Sequence, residues 1–271
     1  MKYMIKPIVS NILLLIEAIL LSLITLIFVS NITVLNEKYI IKKMAKTNYY
    51  DQVYDEIKDD MAYITRKSGF SSRIIDDIFK KEDLKKDINN FIKQTYKNEK
   101  NVINVELLKE NLNKNLEEYL EEKGLEITET DKKTYINKIT TTYKNKVNLM
   151  NYLDSSSKAL SKLYKSNNSF IVLFIIDLIV LIGINKKIFR KKEYNVLTFT
   201  SALTLIGISI FIKTININNL FIYNIEISNL IKAIIQKFTN ISFLIAIIYI
   251  IAPIMLKKYI KNYKNRGIFN K

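Results

Sequence analysis

Two carboxylates stand inside otherwise apolar runs: Glu17 within 8–29 and Asp177 within 169–185. An ionisable group in hydrocarbon is costly, and by default it marks a function. Three chemistries suit such acids. They can form a proton or cation path, or meet a partner's intramembrane Lys or Arg. As neutral carboxyls they can instead hydrogen-bond Asn11, Ser22, Thr25, Thr200 or Thr204 and hold helices together. At 1.5 Å per residue Glu17 sits roughly 13 Å into its run, and Asp177 is the middle residue of its own. Both therefore fall at mid-depth, where they could approach each other.

Other chemistry is thin. Ser155-Ser156-Ser157-Lys158 matches the S-x-x-K nucleophile pattern, but neither S-D-N nor K-T-G accompanies it, so the match reads as chance. The chain has no His and no Cys. That removes the usual general base near neutral pH, disulfides, thiolates and the commonest metal ligands. No phosphate-cradling glycine loop, metal-ligand spacing or catalytic triad is present, and no cofactor is expected. Tyrosine is abundant, 17 in all, while Trp is absent. Aromatics with a polar tip suit binding surfaces, but most of these read as packing. Asn48-Tyr49-Tyr50-Asp51 is either a turn presenting Tyr49 and Tyr50 on the outer surface or simply a helix start.

The elements that must place these groups are mostly helical, since 5 Gly and 2 Pro in 271 residues leave little for turns and strands. Four apolar runs read as membrane spans: 8–29, 169–185, 195–212 and 238–256. The first has 22 residues, roughly 33 Å, against a hydrocarbon core of about 30 Å. It is too long for a signal peptide, and Ser30-Asn31-Ile32-Thr33 offers no small-x-small cleavage pattern. The second is short, the third is diluted by Thr198, Thr200, Ser201, Thr204 and Ser209, and the fourth carries Pro253 near its end, where a kink is expected.

Orientation follows from Lys and Arg. Segment 1–7 holds Lys2 and Lys6; segment 186–194 holds Lys186, Lys187, Arg190, Lys191 and Lys192; segment 257–271 holds six more. If every run crosses once, all 13 lie on one side, against three in 213–237. The rule puts them in the cytoplasm with both termini, and puts 30–168 outside. The net charge of +16 points the same way, because only +4 of it falls within 36–168. A nucleic-acid binder concentrates charge on a folded soluble surface, so nucleic acid is set aside. The basic loop Lys186–Lys192 instead suits anionic lipid headgroups or a cytoplasmic subunit, beyond its ordinary topological role. Richness in Ile, Lys, Asn and Tyr suggests an AT-rich genome of Gram-positive type.

Region 30–168 is expected to be a bundle of four to six helices. Ile40, Met44, Val53, Ile57 and Met61 recur at helical spacing, as do Leu84, Ile88, Phe91 and Ile92, then Leu108, Leu112 and Leu116, then Tyr135, Ile139, Tyr143, Val147 and Met150. Gly69 and Gly124 are placed to end helices in the left-handed conformation, and Thr128 with Asp131 resembles a capping box. The first and last helices of the bundle are expected to continue the first and second spans. In 213–237, Ile227, Leu230, Ile231, Ile234 and Ile235 form a stripe. It fits a helix lying on the outer membrane face, or an extended fourth helix protruding from the bilayer. The expected fold class is therefore an all-α membrane protein, four transmembrane helices with an extracytoplasmic helical bundle inserted between the first and second.

The order of one span, a large outside domain and three spans with a short basic inner loop resembles the permeases of the cell-division and macrolide-exporter type of ABC system. That likeness implies a subunit without catalytic residues that relays ATPase motion outward. Such permeases carry a cytoplasmic amphipathic helix before the first span, where this chain has about seven residues. The layout is also similar to the lipoprotein intramolecular transacylases of Gram-positive bacteria, which implies outside histidines that this chain lacks. No site is carried over from either. The leading expectation is a non-enzymatic envelope sensor, binding protein or scaffold; the alternatives are a permease-type subunit and a membrane enzyme acting on lipid.

Overall fold

A computed structural model describes residues 2–97, 99, 102–148, 162, 165–166, 169–179, 193–214 and 225–265, and the structural statements below concern these. They are helical apart from turns and short connections, with no strand among the described residues. The chain divides into two units. The first comprises Met1–Asn36, Lys165–Tyr223 and Ile231–Lys271; the second comprises Glu37–Tyr164 and Asn224–Leu230.

Three helices, α1 (Lys2–Ile32) and α8 (Glu193–Thr214) of the first unit and α9 (Ile225–Asn265), which belongs to it from Ile231 on, each contain a stretch long and apolar enough to cross a membrane: Asn11–Ile32, Val196–Thr214 and Ile227–Met255. The run expected to be the second span is described only as a shorter apolar helix, α7 (Ser169–Ile179). The described residues thus show three long apolar helices and one short one. α9 is continuous through Pro253, so the stripe beginning at Ile227 and the fourth apolar run belong to one helix of 41 residues. That stripe is therefore the start of the same helix as the fourth run and not a separate helix.

α1 and α8 pack in parallel. Leu14 and Ala18 share a buried cluster with Leu197, and Leu26 packs on a cluster formed by Ala202 and Leu205, five and eight residues further along α8, with Ala246 of α9. The buried stripe of α1 is Leu14, Glu17, Ala18, Ser22, Thr25 and Val29, while Ile12, Leu15, Ile19 and Phe28 face outward. α8 answers with Leu197, Ser201, Ala202, Leu205 and Ser209, and α9 with Thr239, Ser242 and Ala246. Apolar residues out and small or hydroxyl residues in is the pattern of helices that associate in lipid, where close backbone approach replaces hydrophobic burial as the driving force.

The second unit contains α2 (Glu37–Lys46), α3 (Tyr49–Lys67), a 3₁₀ turn (Ser72–Ile75), α4 (Lys81–Lys97), α5 (Glu106–Lys123) and α6 (Glu129–Val147). Its core is the union of the sequence stripes: Val53, Ile57 and Met61 of α3, Leu84, Ile88 and Phe91 of α4, Leu112 and Leu116 of α5, and Tyr135, Ile139 and Tyr143 of α6. Gly69 and Gly124 take positive φ, 82° and 61°, and end α3 and α5. Thr128 caps α6 by accepting from the Asp131 amide at 3.1 Å, and its own hydroxyl donates to the Asp131 carboxylate at 2.7 Å. One expectation is corrected. The first helix of the domain does not continue α1, because a turn at Thr33–Leu35, closed by the Leu35 amide on the Ser30 carbonyl at 2.7 Å, separates α1 from α2. The last stretch of the expected domain, from Leu149 to Ser161 with Leu163 and Tyr164, lies outside the described residues, and so does Ser155–Lys158.

Candidate functional site

The best-defined polar constellation of the first unit is the seam where α1 meets α8. The Ser22 hydroxyl donates to the Ala18 carbonyl at 2.7 Å and lies 3.3 Å from the Ser201 carbonyl. The Ser201 hydroxyl reaches back, 2.9 Å from the Leu197 carbonyl and 3.1 Å from that of Ala18. Two serines thus lock two backbones together around the methyl of Ala18, which has no exposed surface. One turn on, the Thr25 hydroxyl gives its proton to the Leu21 carbonyl at 2.8 Å, so the Tyr249 phenol of α9 is the donor in the 2.6 Å bond to Thr25. Hydroxyls that satisfy themselves on carbonyls of their own helix can share a lone pair or proton across an interface at little cost.

Glu17, next to Ala18 on α1, is buried at 1 % exposure and is engaged within the fold. Asp177, in contrast, is exposed on α7. Glu17 is thus enclosed, whereas no described residue of α7 is buried and Asp177 is exposed with the rest of that helix. The sequence could equate them by depth but could not assign them to faces. The hydroxyls of Ser209 and Ser242 are buried without a hydrogen-bond partner, one on α8 and one on α9.

In the second unit Tyr49 and Tyr50 are buried, at 1 % and 4 % exposure, which corrects the reading of that pair as outer surface. The four-residue cluster is the helix start: Asn48 takes φ 53° and α3 begins at Tyr49. Asn tolerates that left-handed conformation better than other non-glycine residues. The Tyr50 hydroxyl donates to Asn89 at 2.6 Å. Other tyrosines are also structural. Tyr135 meets Thr65 at 2.8 Å and packs edge-on against Phe70, and Tyr143 donates to Asp87 at 2.8 Å and packs edge-on against Phe79. Burial raises the Asp87 carboxyl above the ordinary carboxylate range, with the Tyr143 bond pulling part-way back. It pushes the Tyr50 and Tyr135 phenols up to about 12.

Two charged features went unread in the sequence because their members are far apart in the chain. Lys146 of α6 bridges Glu56 and Asp60 of α3, with Asp60 at 3.1 Å. Burial pulls its ammonium down, but hydrogen bonds to the two carboxylates and their charges outweigh that and leave it raised. A polar groove of about 310 Å³ is lined by Arg73, Asp76, Asp77, Asn115, Glu118 and Glu122 among others. Asn115 donates there to the carbonyls of Ile74 and Asp76, both at 3.0 Å, fixing the 3₁₀ turn on α5. No group of three or more metal-ligating side chains occurs among the described residues. The candidates Lys186, Lys187, Arg190, Lys191 and Lys192 lie outside the described residues.

Comparison with known proteins finds no family model, no curated protein and no solved structure that matches this chain. The two layout resemblances rest on the order of apolar runs alone.

Proposed function

We propose that this chain is a four-crossing plasma-membrane protein with both termini in the cytoplasm, whose helical domain faces outward. It binds an envelope component or holds a membrane complex together, acting by contact and not by catalysis. The observation that carries the topology is the parallel packing of α1 and α8. Two parallel membrane helices start on the same side. The chain leaving α1 must therefore cross back before it enters α8. Run 169–185, described in part as α7, is the apolar segment in between that can do so. A single return there leaves 30–168 on one side, and the thirteen Lys and Arg of 1–7, 186–194 and 257–271 make that side the outside.

A contact role is supported by how polar side chains are used. The buried hydroxyls of Ser22, Thr25 and Ser201 in the first unit bond to backbone carbonyls, and buried tyrosines of the second bond to Thr, Asn or Asp across helices. These are the bonds of a packed scaffold.

Single cysteines test the topology in a chain that has none of its own. Glu110→Cys is expected to label from outside in intact cells with an impermeant thiol reagent, and Ile188→Cys only after permeabilisation. Labelling of position 188 in intact cells would overturn the orientation. Purification in gentle detergent, with mass spectrometry of what co-purifies, tests the role. Recovery with envelope proteins fits the proposal. A stoichiometric nucleotide-binding subunit would replace it with the permease reading and make Lys186–Lys192 the contact to mutate.

A further inference from the structure

The charge of the hydrophilic region is unevenly placed. Residues 36–168 carry 26 Lys/Arg and 22 Asp/Glu, a balance of +4. Glu37–Lys46 alone holds four Lys and one Glu, +3. Residues 154–168, which lead into the apolar run at 169–185, hold three Lys and one Asp, +2. The stretch between, 47–153, has 19 basic and 20 acidic residues and is left at −1. The excess thus falls at the two places where the region joins an apolar run.

α2 sets its share out on one face. Ile40 and Met44 are buried, whereas Lys38, Lys42 and Lys46, spaced four apart, are exposed. At 3.6 residues per turn the two sets lie on opposite sides of the helix. None of the three lysines pairs with a carboxylate among the described residues. The connection to α1 is short and built. The Thr33 hydroxyl donates to the Val29 carbonyl at 2.6 Å, and the Leu35 amide donates to the Ser30 carbonyl at 2.7 Å. Thr33 and Leu35 are both buried. At Leu35 the chain is therefore still beside the last turn of α1. Two residues later Glu37 opens α2, within about 7 Å of that turn by covalent reach alone.

We propose that the face of α2 carrying Lys38, Lys42 and Lys46 binds the phosphate headgroups of anionic lipids, in the leaflet where α1 ends. The proposal rests on α1 as a crossing helix, and not on which side of the membrane the domain lies. The apolar stretch of α1 ends at Ile32. A headgroup layer extends about 5–7 Å beyond the hydrocarbon, and charges act over about 8 Å at physiological salt. Lys38 follows the opening residue of α2, and flexible lysine stems can lean toward a surface. Charge complementarity and the tether select the occupant together: the nearest large anionic surface is the one in which the chain itself is anchored. Clustered lysines beside a crossing helix are attracted to such a surface.

The test uses the full chain in vesicles of equimolar phosphatidylcholine and phosphatidylglycerol with identical acyl chains. Both leaflets are alike, so the direction of insertion does not matter. Benzoylphenylalanine replaces Ala45, which is exposed beside Lys42, and as control it replaces Glu118, exposed on α5. Photolysis at position 45 is expected to give phosphatidylglycerol adducts in about tenfold excess over phosphatidylcholine; position 118 is expected to show no preference. The triple variant Lys38→Gln/Lys42→Gln/Lys46→Gln should bring the ratio close to one, with helicity by circular dichroism unchanged. Salt at 1 M should do the same to the unaltered lysines, which tests the charge without any variant at those positions. Equal adducts of the two lipids at position 45, a preference that survives both the triple variant and salt, adducts to a second copy in place of lipid, or no lipid adduct would each overturn the headgroup site. Release of the chain from the vesicles by alkaline carbonate would instead overturn the crossing on which it rests.

Discussion

Lys146 and Arg73 show how place decides the worth of a charge. Lys146 is mostly covered and holds two carboxylates, and Glu56 keeps its other oxygen buried without a partner. Removing the ammonium leaves the half-buried Glu56 without its cation, while Asp60 stays solvated, so Lys146→Met is expected to cost about 1–3 kcal/mol. Arg73 meets Glu122 at 3.3 Å with both side chains well exposed, 71 % and 51 %. Arg73→Ala should cost less than about 1 kcal/mol, and that little should vanish in high salt. Thermal unfolding of the full chain in detergent compares the two, and equal losses would refute the ranking. The tyrosines make a second prediction. Tyr50 and Tyr135 keep their protons up to about 12 when folded, against 10.0 when unfolded. A raised folded value favours folding fully below pH 10 and loses that contribution as pH rises through 12. The melting temperature should therefore fall across that window, and less steeply in the Tyr50→Phe/Tyr135→Phe double variant. An unchanged slope would sink the linkage.

At the scale of elements, glycines separate backbone demand from packing demand. Gly124 takes φ 61° at the end of α5, and a Cβ there would meet nothing within 4 Å. The cost of Gly124→Ala is then conformational alone, about 1–2 kcal/mol. Gly207 lies inside α8 with ordinary helical backbone and open space around its Cβ position. Gly207→Ala should be neutral or stabilising by up to about 1 kcal/mol, because alanine loses less backbone freedom in a helix. A loss at both sites would place an unseen contact against Gly207. The same logic ranks Ala18 and Ala246, which have no exposed surface: a larger side chain at either must push helices apart.

For the whole molecule, the decisive quantity is the direction of α8 relative to α1. In a parallel arrangement, Leu14→Cys with Leu197→Cys should join through a short bifunctional thiol reagent in membranes, and Leu14→Cys with Ser209→Cys should not. The reverse result would make the helices antiparallel and remove the need for a crossing between them. The second unit holds its own core of α3, α4, α5 and α6 residues, so these membrane pairs can be varied without touching it.

By itself the sequence determined what depends on local order along the chain. Three of the four apolar runs are long helices, the stripes of the hydrophilic region form its core, Gly69 and Gly124 end helices, and the Thr128 cap forms as its spacing implied. Periodicity and turn chemistry act over a few residues, so they are legible there. Tertiary structure alone decided which face each helix turns inward. It buried Tyr49 and Tyr50, enclosed Glu17, joined Lys146 to Glu56 across 90 residues, and matched Ser22 with Ser201 across 179. Those pairings arise from packing two or three helices at once. Small and hydroxyl residues in an apolar helix carry no hydropathy signal that says which neighbour they will meet.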